Sequence, residues 1–385
     1  MIYSIEEFEN EVESINDLLD DHTYASDLKG YADTKLENGI EPSNMVTNSI
    51  AIQMESLYRR HDYKPAVPVL EAYKGNSFVY ASEGLGDFLK KIWDKIVAAF
   101  KAVLEWIKGF FAGSKSRINK AAARSALSSK LDFQPFIVSF EEVDDPAIAK
   151  LIFISKDKSE INDFSDNANK ITELINLLIY MNRSIEEVAG PMMLKGNLGE
   201  IIEVGNTGVP MDSSFKRKIN LTEKLSDNIQ RLGVYEFPED IAIDFYCNIN
   251  KYPQGPLTTS IASELSKIKI TTRKEKRDPP VKLYRSLANP AFYKAIKHVA
   301  EALKNFSERA KLASGIETSM GAFAGAIPDE WEKLEQSEIV VVKAQIKASL
   351  AIYKNVTASH NAVEKTIINF SEGINKFVDK YVQKQ

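Results

Sequence analysis

Cysteine is almost absent from this sequence. Cys247 is alone among 385 residues, so a disulfide framework within the chain is excluded. Histidine is nearly as scarce. His22, His61, His298 and His360 lie far apart, and none stands in an H-E-x-x-H pattern or at another metal-ligand spacing. No Walker A loop occurs, Gly196-Asn-Leu-Gly199 lacks the third glycine of a phosphate cradle, and no G-x-S-x-G elbow is present. The acid pairs Glu141-Glu142 and Asp144-Asp145 fall in a turn and read as solvated. Cys247, in a strand-like apolar run, reads as a core thiol. Long apolar runs are missing too. In the most apolar segment the longest stretch between charges is Ile96 to Phe100, far short of a membrane span. The first residues, MIYSIEEFENEVESINDLLDD, are acidic and do not read as a secretory signal. These gaps point away from an enzyme and call for no cofactor and no metal. The rival reading is an intracellular enzyme whose site motif analysis does not see.

What is present is ordinary in amount and uneven in distribution. The chain is 44% hydrophobic and 27% charged, usual for a soluble protein, and its length suits two or three domains. Residues 1–83 carry 16 Asp/Glu against 6 Lys/Arg, a net of −10; residues 84–385 carry 43 Lys/Arg against 38 Asp/Glu, a net of +5. Such asymmetry suits an acidic pro-region or a polyanion partner.

Residues 4–20 pattern as a helix, with Ser4 as N-cap, Glu7 at the capping-box position and Ile5, Phe8, Val12, Ile15 and Leu19 on one face. Polar, Gly-punctuated residues 20–41 suggest loop or weak helix. Val46, Ile50, Met54 and Leu57 mark a second helix from Ser43 to His61. The Pro-bearing stretch 65–80 reads as an extended linker. Strands are expected at Phe133–Phe140 and Ala149–Ser155, helices at Ser159–Met181 and Ser214–Leu232, loop over 190–213, and strands at Asp240–Asn248 and Lys267–Thr271. Asn289 and Pro290 start a further helix. Gly315 to Pro328 breaks the pattern, and 329–356 and 361–382 read as two antiparallel helices. The fold class is mainly α, with a smaller α+β middle region. The expected organisation is an acidic helical pro-region at 1–83, an amphipathic and basic helical segment at 84–130, an α+β domain at 131–285 and a C-terminal helical bundle at 286–385.

The stretch from Leu85 to Phe111 is the most distinctive. As one helix it spans about 40 Å. Leu85, Ile92, Ala99 and Trp106 fall seven apart, as do Leu89, Ile96, Val103 and Phe110, while Trp93, Phe100 and Ile107 form a third row and Phe88 adds to the same face. Such a face needs cover. Its own core, a partner helix and a membrane interface are the three available sinks, with the core of an α-bundle the first reading and the Trp- and Lys-bearing interfacial helix the alternative. Beyond it, residues 114–130 contain no acid. Lys115, Arg117, Lys120 and Arg124 are candidate phosphate contacts, as are Arg273, Lys274, Lys276 and Arg277 in a second basic cluster. A solvated face is the plainer reading of both.

Ala81-Ser82-Glu83 followed by Gly84 stands where the acidic region meets this helix. That layout, with GLGDFLKKIWDKIVAAFKAVLEWIKGFF behind it, resembles precursors of internal head proteins of large tailed bacteriophages, the giant myoviruses especially. The resemblance implies a non-enzymatic virion protein made in the host cytoplasm and cut after Glu83 by a phage prohead protease. It implies retention in the capsid interior among other internal proteins and ejection with the packaged DNA, with that DNA or the host membrane as further partners. Other tripeptides fit the same small-x-Glu pattern, among them Ser4-Ile5-Glu6, Gly39-Ile40-Glu41, Ala262-Ser263-Glu264 and Ala362-Val363-Glu364. An extended approach, the charge reversal and an amphipathic helix beginning just after it single out Glu83. The second functional reading is a membrane-active protein that uses 85–111 and is held inactive by 1–83.

Overall fold

The computed structural model describes residues 4–39, 44–64, 78–129, 145–152, 167–176, 178–179, 181–182, 185, 223–224, 229–237, 241–248, 263, 269–274, 289–309, 314–327, 334 and 336–381. The expected strand at 133–140 and loop at 190–213 lie outside them. The architecture is mainly α, as the patterning predicts.

Helix α1 runs Ile5–Glu37. Its start is the predicted one: the Ser4 hydroxyl accepts from the Glu7 amide at 3.1 Å, and the Glu7 carboxylate accepts from the Ser4 amide at 2.7 Å. It does not weaken at Asp20. Asp21, His22, Ala25, Ser26 and Ala32 are buried, and tertiary packing carries the helix where sequence polarity argued against it. Helix α2, Asn44–Arg60, follows prediction closely.

Helix α3, Phe78–Ser129, joins the amphipathic and basic stretches into 52 continuous residues. It begins at Phe78 rather than Leu85. Phe78 stands seven before Leu85 and extends that apolar row by one repeat. Helix α4, Pro146–Ile152, replaces the start of the strand predicted at 149. Asp145 caps it, with its Oδ1 accepting from Ala147 N at 3.0 Å and Ile148 N at 3.3 Å. Pro146 takes the first position, where no amide proton is needed. Helix α5 is described at 167–176, inside the predicted 159–181.

Strands β1 (Glu223–Lys224), β2 (Ile229–Phe237), β3 (Ile241–Asn248) and β4 (Lys269–Lys274) form one antiparallel sheet in chain order. The two later strands were predicted. The helix predicted at 214–232 gives way to β1 and β2. β2 pairs in register from Ile229↔Asn248 to Phe237↔Ile241 with a bulge between Arg231 and Gly233. Glycine and β-branched residues suit this bulged strand better than a helix interior.

Helices α6 (Asn289–Arg309), α7 (Ser314–Ala326) and α8 (Gln336–Tyr381) complete the chain. The small residues of α7 form a helix instead of the predicted break, burying Met320, Phe323 and Ala324. α8 is one 46-residue helix where a break near 357–360 was predicted. The polar residues there have partners: Thr357 Oγ1 donates to the Tyr353 carbonyl at 2.8 Å, Ser359 Oγ accepts from Ile270 N at 3.1 Å, and His360 meets Ser114 at 2.7 Å. Satisfied in this way, polar groups sit in a helix interior without ending it.

The chain packs as two compact units: Tyr3–Trp106 with Gly321–Lys347, and Ile107–Met320 with Ala348–Gln385. The first has its core at Phe8, Ile15 and Leu19 of α1, Met54 and Leu57 of α2 and the apolar face of α3. The second is centred on Ile118, Ile171, Leu174, Leu303, Ile367 and Phe377. In the second unit Gly373 is the point of closest approach between α8 and α4. A Cβ there would lie 2.6 Å from Leu151 Cβ and 3.2 Å from its carbonyl oxygen. Gly373→Ala is therefore expected to cost about 2 kcal/mol through overpacking, read as a lowered urea midpoint; an unchanged midpoint would show that the two backbones do not meet there.

Candidate functional site

In the first unit, most of the apolar face of α3 is covered. Leu85, Phe88, Trp93, Ile96 and Phe100 have no exposed surface, Ile92 is 1% exposed and Val103 3%. The cover comes largely from the acidic N-terminal region. Phe8 of α1 stacks on Trp106 at a 4.1 Å centroid distance and 12°. The His22 ring lies 5.5 Å from Trp93. Tyr58 of α2 meets Phe88 edge-on at 4.7 Å, and Tyr63 approaches the same ring at 5.3 Å. On Phe100 the cover is Phe323 of α7, at 5.8 Å and 83°. Of the residues predicted for this face, Trp106 is only half-buried.

The same region also engages the lysine edge of the helix. Lys91 Nζ lies 5.1 Å above the Tyr63 ring, and Lys95 Nζ donates to the His61 carbonyl at 3.1 Å. Asp21 ties α1 to α2 by accepting from Arg60 Nη1 at 2.5 Å, with His61 Nε2 at 2.8 Å. From α8, Lys347 Nζ reaches Asp20 at 2.5 Å and Lys343 Nζ reaches the Thr23 hydroxyl at 3.2 Å. Burial dominates two protonation equilibria here. It drives the His22 pKa down to about 3, with the Lys343 charge adding to the effect. It also lowers Lys343 to about 8, which Asp27 and Asp20 oppose and Lys347 reinforces. His22 is therefore neutral at neutral pH.

Ala81, Ser82, Glu83 and Gly84 are in the first two turns of α3. An extended approach was expected up to Tyr80; residues 78–80 are helical instead, and 65–77 lie outside the described residues. The first turn of a helix has amides without helical partners, so it opens most readily. Gly84 and Gly86 add to that tendency. Tyr58 and Lys29 approach these two glycines, since a Cβ at Gly84 would meet the Tyr58 hydroxyl at 3.4 Å and one at Gly86 would meet Lys29 Cε at 3.7 Å. Among the rival tripeptides, Ala362-Val363-Glu364 is mid-helix in α8 with Glu364 only 2% exposed. Ser4-Ile5-Glu6 forms the capped start of α1.

The second unit contains the rest of α3 and its basic candidates. Ile107 is fully buried, and half-buried Phe110 packs beside Phe111 and the His360 ring. Arg117 is not free for phosphate. Its Nε and Nη2 both donate to the Glu364 carboxylate, the latter at 3.1 Å. Arg124 reaches Asp379 at 3.5 Å. Lys115 and Lys120 are exposed. Arg273 and Lys274 belong to β4, and Lys276 and Arg277 lie outside the described residues.

A set of polar pairs in this unit, with Ser114, Ser125, Ser307, His360, Glu364 and Ser371 buried, was missed by sequence reasoning. Ser114 pairs with His360, Arg117 with Glu364, Ser125 with Ser371 at 2.7 Å, and Asn119 with Ser307. Burial lowers the His360 pKa to about 4 against the opposing pull of Glu364. A signal was there: His360, Glu364, Ser371 and Asn375 recur at helical spacing on one side of α8, facing Ser114 and Ser125 of α3. Their polarity hid an interior position.

Comparison with known proteins finds a match over part of the chain. Residues 4–130 match the phiKZ-like phage internal head proteins. The match ends where α3 ends, and so spans α1, α2 and α3 together. No curated protein and no solved structure matches the chain. Among the described residues, no helix is long and apolar enough to cross a membrane.

Proposed function

We propose, from the match of residues 4–130 to the phiKZ-like phage internal head proteins, that this chain is a structural protein of the phage capsid interior and is made as a precursor. A prohead protease removes residues 1–83 by cutting after Glu83. The observation that carries this reading is the double cover on α3: the acidic segment seals the apolar face and occupies Lys91 and Lys95 of its edge. The cut lies in the second turn of α3, next to the end from which the helix opens and between Glu83 and a glycine. Once the segment is gone, the face and its lysines are available to other capsid-interior proteins.

The test is the intact mass and N-terminal sequence of the protein from purified virions. A chain starting at Gly84 is expected; one that keeps its original methionine end would overturn the reading. Because cleavage requires opening, Gly86→Ala should slow it. The new methyl meets Lys29 at an ordinary distance, while the helix gains about 1 kcal/mol. That gain lowers the opened population about fivefold. Digestion of purified precursor with the prohead protease measures this, and an unaltered rate would show that cleavage does not wait on unwinding.

A second reading has the uncovered face bind an anionic membrane surface, since the freed edge is lysine-rich and the freed face carries Trp93 and Trp106. Flotation of cut protein from which residues 1–83 have been separated, with neutral and anionic vesicles, separates the two. Binding confined to anionic vesicles favours the membrane, and no binding to either favours protein partners.

A further inference from the structure

Both sides of the cut belong to one compact unit: α1, α2, the first part of α3 and the start of α8 pack together. Scission at Glu83 breaks one peptide bond and the few helical hydrogen bonds of α3 that cross it. The contacts made by α1 and α2 lie elsewhere. Phe8, Ile15, Leu19, Met54 and Leu57 remain buried at 2% exposure or less. The Phe8–Trp106 stack and the Tyr58–Phe88 contact are far from the severed bond in sequence. The polar links are equally indifferent to the cut: Lys347 with Asp20, Lys343 with Thr23, and Lys95 with the His61 carbonyl. Asp21 keeps α1 and α2 as a single piece. Two amphipathic helices with their apolar faces buried and a set of charged links at the edge make an interface of the stable kind.

We infer that scission at Glu83 leaves residues 1–83 docked on α3 as a separate two-helix partner. Cutting and uncovering are therefore distinct events. The apolar face opens only when a competitor of the same chemistry, an acidic amphipathic helix, displaces the segment. The cut makes that displacement possible because it removes the tether that would return the segment at high local concentration. This rests on the Glu83 reading for its setting, but its test does not depend on that site.

A site-specific protease recognition sequence inserted after Ala66 in the full chain places α1, α2 and Tyr63 on one side of the cut. After complete digestion, the two pieces are expected to elute as one species from a size-exclusion column at about 1 μM and to separate in denaturant. Separate elution under native conditions would overturn the inference. Leu19→Asp in the same cut protein should weaken the complex at least a hundredfold and split the pieces, while leaving the uncut chain in one elution peak. Continued co-elution of that cut variant would place the docking elsewhere and would equally overturn it. Failure of the prohead protease to cut at Glu83 would leave this result standing.

Discussion

Trp93→Ala is expected to cost about 4 kcal/mol, the largest loss from any single truncation on the face of α3. Trp93 has no exposed surface, and its ring lies against His22. Removing it leaves a cavity where α1 packs on α3. Neighbours on rigid helices close such a gap only in part, so the lost transfer energy and the cavity term add. Trp106→Ala should cost roughly half as much, because Trp106 is half-buried and gives up chiefly its stack on Phe8. Urea titration of the two variants measures the difference. Equal losses, or a near-neutral Trp93→Ala, would mean that the face is not packed as described. A second consequence follows from where the packing lies. Trp93→Ala loosens the acidic segment, so limited proteolysis should cut the variant near Gly84 faster than the parent chain.

Acid should destabilise both units steeply. His22 has its pKa lowered to about 3 and His360 to about 4, each by burial, against about 6.5 in an unfolded chain. Between pH 6.5 and these values the unfolded state binds more protons than the folded state. Stability therefore falls as pH falls, by up to about 1.4 kcal/mol per pH unit for each histidine, and levels off only below the folded pKa. The groups facing them point the same way in the first unit, where Lys343 already places a cation near His22. In the second unit Glu364 eases protonation of His360 while Arg117 resists it. His22→Gln and His360→Gln should each flatten the acid limb by one such slope, measured as denaturant midpoints from pH 7 to 4.5. If the parent chain and both variants share one slope, these histidines are not buried as neutral rings.

The helix at 85–111 was legible because three apolar rows at seven-residue spacing fix a face whatever surrounds it. The capping box at Ser4, the second helix and the strand at Ile241–Asn248 were legible for similar local reasons. Less local features were not. Asp21 and His22 look like solvent-facing residues until Arg60, His61 and Trp93 are placed beside them. His360 looks like a helix end until Ser114 meets it. The resemblance, carried by some thirty residues around Glu83, pointed to the family that residues 4–130 match.

The sequence alone determined the helical class, the charge reversal at residue 83 and an apolar helix in need of cover, since periodicity and charge are local properties of the chain. The tertiary structure decided what provides that cover, how far α1, α3 and α8 run, and which basic residues are already engaged. Those outcomes depend on partners distant in sequence, from about thirty residues for Tyr58 and Phe88 to 247 for Arg117 and Glu364. A polar side chain continues or ends a helix, and an arginine binds a glutamate or stays in water, according to what folding brings within about 3 Å of it.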